Sequence, residues 1–362
     1  MWHDSRGPTT LENGKSVAVL ALHPWAQELM AGLYHGPYQP LLSGVACYKV
    51  VERLGIEGAR ESLDVLGEER FQAKSHLFQQ ALTREEEGQV LYQGIMGALG
   101  YSKNSEPFQE LAQRLPLRYL ELAPGRTSYE RSLALQALLL GTAGLLPCQR
   151  RRRVRGEGEQ FVGQLERVCH FMGHGEAMSE ADWNFFKVRP ENFPTRRLAP
   201  ASHLLVHYGD SGLLSGILGM VIEGLLGNRH CQLEEALVVT AEDYWASHFD
   251  FGLERKSKNP TLLGWGRAAE IVVNVILPFV AAWGRENSQP ELKEKAEKLH
   301  KDYPRLAENK VTQQMRLRLF PGGTPQVINR ARQQQGLIHI HKGFCAEGRC
   351  SRCPWAVKLM AG

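Results

Sequence analysis

Apolar residues recur three and four positions apart over most of the chain, the period of an α-helix with one buried face. Between 59 and 80 the stripe is Leu63, Leu66, Phe71, Leu77 and Phe78; between 85 and 99 it is Val90, Leu91, Ile95 and Leu99. Ser105 precedes Glu106-Pro107. Proline in a first turn loses no intrahelical hydrogen bond, so a helix is predicted from Ser105 to about Arg114, stopped by Pro116. Ser128 reads as the cap of an apolar helix running to Leu145-Leu146-Pro147. Further helices are predicted over 160–171, around 182–187, from Pro194 to Val206, and over 213–226 and 232–239. Thr261 to Trp283 is the most apolar of all, Pro290 to His300 is short and charged, and a last helix starts at Thr324-Pro325 and should end at Gly336.

The first 40 residues break this pattern. Val17 to Leu22 is a short apolar strand behind an Asn13-Gly14 turn signal. Upstream lies only the largely polar stretch Met1 to Leu11, so the strand is expected to lack a hairpin partner. The fold class predicted is mainly α: a multi-helical body with a small N-terminal β remnant and a C-terminal cysteine knuckle. The divisions expected are a β remnant over 1–40, a helical subdomain over 41–147, an arginine-rich loop over 148–158, a second helical subdomain over 159–338 and a cysteine tail over 339–362. The loop, CQRRRRVRGEG, is the expected boundary because it carries charge and glycine with little apolar content.

Of 362 residues, 43% are hydrophobic and 23% charged, ordinary for a chain that buries a large core. The longest apolar run, Ile271 to Trp283, is shorter than the ~20 residues a spanning helix needs, and Asn274 and Pro278 interrupt it. It is expected to be a core helix kinked at Pro278, with Asn274 in a buried hydrogen bond, and no membrane is expected as partner. The polar start Met1-Trp2-His3-Asp4-Ser5 carries no signal pattern, which points to the cytoplasm. Seven cysteines without secretory context point to thiols or metal ligands ahead of disulfides. The net charge of +4 hides an asymmetry: from Lys310 onward nine basic residues face one acid, Glu347. The remainder is net acidic, and the basic segment suits an anionic partner or the body's own acidic surface.

The strongest chemical signal is Cys345-x4-Cys350-x2-Cys353. Two thiolates two residues apart can meet one ion across a tight turn, and the loop from Ala346 to Arg349 can return Cys345 to it. Closing a structural zinc site or an iron–sulfur cluster needs a fourth ligand. Cys47 is the first choice, with His339 and His341 as alternatives. A second constellation runs from Trp183 to Arg197, where two prolines rigidify the approach to a helix. Arg189, Arg196 and Arg197 beside a helix N-terminus suit an anion or a phosphate backbone; equally, they suit pairing with local acids such as Glu191. Arg151 and Arg152, in the four-arginine run, are further candidates for phosphates, although charged loop runs are commonly just solvated. His248 and Asp250 share a face only if they lie on a strand, which admits a base and its orienting carboxylate. A packed aromatic corner around Tyr244-Trp245 is the preferred reading there. No dinucleotide, Walker, zinc-protease or serine-hydrolase motif is present.

Several ordered stretches carry a family resemblance: Asn104 to Phe108 through Leu115-Pro116, Ala137 to Leu146, Trp183 to Arg197, Tyr244-Trp245, Leu263-Gly264 to Asn274 with Pro278, and the closing cysteines. Through them the chain resembles the bacterial domain-of-unknown-function family 2851 over nearly its whole length. The resemblance implies that relatives carry a further N-terminal β-rich region, whose Asp and Glu motifs look like the metal-binding core of nuclease-like folds. It also implies that this chain begins near the last hairpin of that region, without those carboxylates. The function expected is a nucleic-acid-associated module with a structural metal site, either zinc or an iron–sulfur cluster. The alternatives are a non-catalytic scaffold with structural zinc that binds a partner protein, and a hydrolase with its site near His248.

Overall fold

The computed structural model describes residues 47–360 except 174, 227–229, 257–258 and 321–326, together with two short strands near the start, β1 (Thr9–Thr10) and β2 (Ser16–Val17). Those strands pair antiparallel, Thr9 opposite Val17 and Thr10 opposite Ser16; the expected Asn13-Gly14 turn lies outside the described residues. The expectation of a partnerless strand is therefore corrected. The partner is a pair of β-branched but polar residues, which a search for apolar alternation passes over. The rest of residues 1–40, including most of the predicted strand, lies outside the described residues.

Helices dominate the remainder. A long helix, α1 (Tyr48–Leu82), is interrupted at Gly55, whose φ of 68° only glycine adopts freely. It is followed by α2 (Glu87–Leu99), α3 (Ser105–Arg114), α4 (Leu117–Glu121), α5 (Ser128–Thr142) and α6 (Glu157–Met172). The cap of α5 is Thr127, one residue before the one expected. Its hydroxyl accepts from the Glu130 N–H while the Glu130 carboxylate accepts from the Thr127 N–H, a capping box. Next come α7 (Pro194–His207), α8 (Leu213–Leu226) and α9 (His230–Glu235). The expected helix around 182–187 is only a short 3-10 turn, Glu180–Asp182.

Four short strands follow: β3 (Val239–Thr240), β4 (His248–Asp250), β5 (Leu253–Glu254) and β6 (Thr261–Leu263). They form two antiparallel pairs, β3 with β6 and β4 with β5. Thr261 to Leu263, expected to begin a helix, is instead this last strand; Gly264 then precedes α10 (Trp265–Ile271). From α10 the helix passes through a π-helical turn, Val272–Ile276, into α11 (Leu277–Glu286). Pro278 therefore does not break it: the wider π turn accommodates the missing N–H. The continuous segment Trp265–Glu286 is 22 residues long and apolar enough to cross a membrane by length and composition; 72% of its apolar window is buried within the fold. The chain closes with α12 (Pro290–Asp302), α13 (Lys310–Leu319), α14 (Ala331–Ile340), a second π turn (His341–Cys345) and α15 (Pro354–Met360).

Buried residues form two clusters. The larger runs from Phe71 on α1 to Ala331 on α14, and includes Leu139 and Leu165 on either side of the arginine-rich loop. Buried residues before and after that loop thus belong to one cluster. The smaller cluster joins the first half of α1 (Val50, Leu63, Leu66) to the C-terminal segment (Met315, Leu337, Ile340, Trp355). Gly336 does not end α14; it lies inside the helix, where α14 crosses α1.

His300, on α12, is buried against the ring of Phe71 at 4.2 Å, and its Nδ1 has no hydrogen-bond partner among the described residues. Burial, with Arg332 and Lys74 nearby, lowers its pKa to about 3. A depressed histidine stays neutral in the folded chain while the unfolded chain gains a proton as pH falls below ~6.5, so stability is lost on acidification from that point down to the folded pKa. Between pH 7 and pH 5 this one group should cost about 2 kcal/mol. His300→Phe is expected to flatten that limb of a stability profile measured by denaturant unfolding at each pH. An unchanged slope would place the acid sensitivity elsewhere.

Candidate functional site

Cys47 sits immediately before α1, and Cys345 closes the second π turn. From Cys345 the chain reverses through Gly348, at a φ of 67°, and Cys350 then opens a single 3-10 turn that brings Cys353 to the start of α15. Backbone bonds fix the knuckle: Gly348 N–H to Cys345 O at 3.3 Å, Arg349 N–H to Phe344 O at 2.8 Å, and Cys353 N–H to Cys350 O at 3.1 Å. Trp355, buried, donates its indole N–H to Cys47 O at 3.2 Å, tying the start of α1 to this corner. Cys350 and Cys353 are buried, and Cys47 and Cys345 half-buried.

The four thiols lie within electrostatic reach of one another. Burial pushes the Cys345 thiol up to about 11; Arg318 opposes this, while Cys353, Cys47 and Cys350 add to it. Burial also raises Cys353, opposed by the backbone N–H groups of Ala356 and Trp355, which donate to its sulfur, and assisted by Cys47 and Cys350. Amides aimed at a sulfur at the start of a helix favour the thiolate, the form that ligates metals. Among the described residues no three His, Cys, Asp or Glu side chains are drawn close enough to share one ion. The cysteines converge on one corner without closing on a common point. His339 instead lies 3.4 Å from the Glu69 carboxylate, and neither His339 nor His341 is among the groups that perturb the thiols. Cys47, by contrast, is among the groups that perturb both Cys345 and Cys353.

The arginines expected at an anion site divide sharply. Pro194 opens α7 behind Phe193, which puts Arg196 and Arg197 in its first turn, but they are only 1% and 6% exposed. Arg196 donates to the carbonyls of Trp245, His248 (2.8 Å) and Thr261 (3.2 Å). Arg197 donates to Leu262 O (2.6 Å), Tyr101 Oη (2.7 Å) and Asn192 Oδ1 (2.7 Å), and lies over the Tyr101 ring. They satisfy the backbone of the short strands and their flanks, so an external anion does not reach them in this conformation. Burial, reinforced by Arg255 and Arg197, lowers Arg196 to about 10. Arg189 and Arg151 are exposed. Arg152 is half-exposed and paired with Glu180 (2.8 Å) and Asp250 (3.4 Å).

The arginine that the sequence did not single out is Arg150. It is buried, donates to both oxygens of Asp250 at 2.8 and 3.0 Å, and reaches Glu180 at 2.8 Å through Nε. Nothing in a run of four arginines marks which one turns inward; its partner is 100 positions away. This pairing also bears on His248. His248 and Asp250 do occupy a strand, β4, and both are buried. The carboxylate is engaged by Arg150, however, while His248 Nδ1 lies 2.9 Å from Ser247 Oγ and 3.1 Å from Tyr244 O, with its ring stacked on Tyr244 at 3.9 Å. The geometry is that of a packed aromatic corner. Neither the cavity beside α1 and α2 nor the smaller one beside α2 and α4 is lined by His248 or Arg189.

Comparison with known proteins gives one match. The model of a protein family of unknown function, DUF2851, matches residues 2–309. That span includes Cys47 and the arginine loop but stops short of Cys345, Cys350 and Cys353, so the closing cysteines fall outside the likeness expected for them. No curated protein and no solved structure matches the chain. Because the match spans most of its length, the chain belongs to the DUF2851 family.

Proposed function

We propose that Cys47, Cys345, Cys350 and Cys353 hold one zinc ion or iron–sulfur cluster that staples the start of α1 to the C-terminal segment. The observation that carries this reading is the meeting of four cysteines at one buried corner, one of them some 300 positions from the others, with backbone amides donating to the Cys353 sulfur. Four thiolates leave no open coordination position, so the role is structural. Binding displaces the thiol protons and requires the sulfurs to draw together, and its free energy adds to that of folding. The test is metal analysis and a visible spectrum on protein purified without oxygen. Stoichiometric zinc or iron is expected, lost in Cys350→Ser and retained in Cys148→Ser, whose exposed thiol lies in the arginine loop. Metal-free wild-type protein would end the reading.

A second reading, association with nucleic acid, is favoured by charge. The basic segment from Lys310 onward forms this same corner, with Arg349 and Arg352 exposed on it and Arg318 beside Cys345. Arg189 and Arg151 are exposed candidates on the body, whereas Arg196 and Arg197 drop out. Phosphate contacts weaken steeply with salt. Fluorescence anisotropy with single-stranded DNA and RNA should therefore give binding at 50 mM salt that falls at least tenfold by about 200 mM, and less steeply in Arg349→Gln/Arg352→Gln. No binding of either strand at low salt removes this reading and leaves the metal staple untouched.

A further inference from the structure

A cavity of about 910 Å³ lies between α1, α2, the α10–α11 helix and the start of the C-terminal π turn, apart from the cysteine corner and the arginine loop. Five basic residues line it (Arg70, Lys74, Arg267, Lys310 and Lys342) and one acid, Glu270. Glu270 is already paired with Arg267. Among the described residues no carboxylate contacts Arg70, Lys74 or Lys342. Arg70 donates through Nε to Gln335 Oε1 at 2.8 Å, which leaves its terminal nitrogens available. Lys74 donates to the side chain of Asn274 and, at 3.3 Å, to its carbonyl. That carbonyl lies four residues before Pro278, which has no N–H to offer it.

Both π-helical turns border this cavity and each contributes a wall residue, Asn274 from one and Lys342 from the other. Single π turns inside α-helices occur disproportionately at functional sites, because they redirect a side chain that regular geometry would place elsewhere. The electrostatics agree. Burial holds Lys74 well below the usual lysine range, Arg70 and Lys342 push it further, and Glu270 only partly opposes them. Burial, then Arg70, likewise lowers Lys342. Like charges crowded into one wall with a single, already paired carboxylate repel one another, and a bound anion relieves that repulsion. The remaining wall is mixed. Phe78, Val90 and Val275 give an apolar face, and Gln109 and Gln113 present side-chain amides with no hydrogen bond among the described residues. Tyr101 lies at one side, its ring covered by the Arg267 guanidinium at 3.8 Å.

We propose that this cavity binds a phosphate-bearing small molecule of nucleotide size. Arg70, Lys74 and Lys342 would contact the phosphate oxygens, Gln109 and Gln113 the polar edge of the ring system, and the apolar face its plane. The volume falls within the range of small-molecule sites, and three basic side chains lining one cavity suit a diphosphate better than a single carboxylate.

The test is calorimetric titration of the intact chain with inorganic pyrophosphate, AMP, ADP and GDP, with adenosine as the uncharged control. Saturable binding of at least one phosphorylated probe, and none of adenosine, is expected. Lys74→Met should weaken that binding about tenfold or more, since it removes a charge-assisted hydrogen bond. Lys342→Ser, at the exposed rim, keeps the fold and should weaken it as well, which guards against misreading an unfolded Lys74 variant. No saturable binding of any of the four probes overturns the proposal. So does binding that is unchanged in both variants, because the phosphate would then sit elsewhere. Neither result depends on metal at the cysteine corner, whose content is measured separately.

Discussion

Replacing Gly67 or Gly336 by valine is expected to destabilise the fold by more than about 3 kcal/mol, at the upper end of what overpacking costs. The two glycines mark where α1 and α14 cross. A Cβ on Gly67 would lie 2.1 Å from the carbonyl oxygen of Arg332, and one on Gly336 would lie 2.3 Å from that of Leu63. Both obstacles are backbone, so no rotamer change relieves them and the helices must move apart. Separation would also stretch the contacts that the close approach permits: Arg332 Nε to Asp64 O at 2.9 Å and Arg332 to the Glu68 carboxylate at 3.2 Å. The cysteine corner lies along the same seam. Gly219→Ala and Gly266→Ala serve as controls, because a Cβ there meets nothing within 4 Å. Those substitutions should be neutral or stabilise by up to about 1 kcal/mol through helix propensity. Guanidinium midpoints for the four variants decide the matter. Wild-type midpoints for both valine variants would mean that α1 and α14 do not cross this closely.

The same glycine shows where the sequence misleads. Glycine near the end of an apolar stripe is an ordinary helix stop, and Gly336 reads as one. Only the position of α1, some 270 residues earlier, reveals that it is a crossing point. Periodicity and capping residues were enough for α3, whose predicted ends at Ser105 and Arg114 are its observed ends, and for α8 over Leu213–Leu226. The readings that failed rest on non-local partners. Thr261 to Leu263 is apolar enough to extend a helix, and becomes a strand because Val239 and Thr240 pair with it. Pro278 reads as a kink, and a π turn whose Asn274 is held by Lys74, 200 positions away, carries the helix through it.

Candidate chemistry divides along the same line. Three of the four cysteines fall close together in sequence, at 345, 350 and 353; what ties Cys47 to their segment is non-local, the Trp355 indole N–H donated to the Cys47 carbonyl. The arginines carry no such local signature. Arg196 and Arg197 begin a helix behind two prolines, where a phosphate would bind, yet the carbonyls of β4, β6 and their flanks occupy them. The basic cavity was invisible for the opposite reason. Arg70 and Lys74 sit one turn apart on an ordinary amphipathic helix, and only the approach of Lys342 makes them a cluster.

Arg150→Met is expected to cost the fold about 3 to 5 kcal/mol, because it strands a carboxylate in the interior. Asp250 is 1% exposed, and the Arg150 side chain is its main counter-charge; without it the longer contact from Arg152, at 3.4 Å, is the ion pair that remains among the described residues. Asp250→Leu should be the milder change, about 3 kcal/mol, since Arg150 keeps Glu180 at 2.8 Å. The double variant removes both charges, and its loss should fall short of the sum by more than about 2 kcal/mol, the coupling of two groups in one buried network. The physical reason is asymmetric: making the pair brings little net stability after desolvation, whereas breaking it leaves one charge with neither water nor a partner. A double-mutant cycle from guanidinium unfolding at pH 7 measures this directly. Additive losses would mean that Arg150 and Asp250 act separately, and that the arginine-rich loop is held to β4 by packing of Arg150 over the Phe185 ring, 5.1 Å away, with charge contributing nothing.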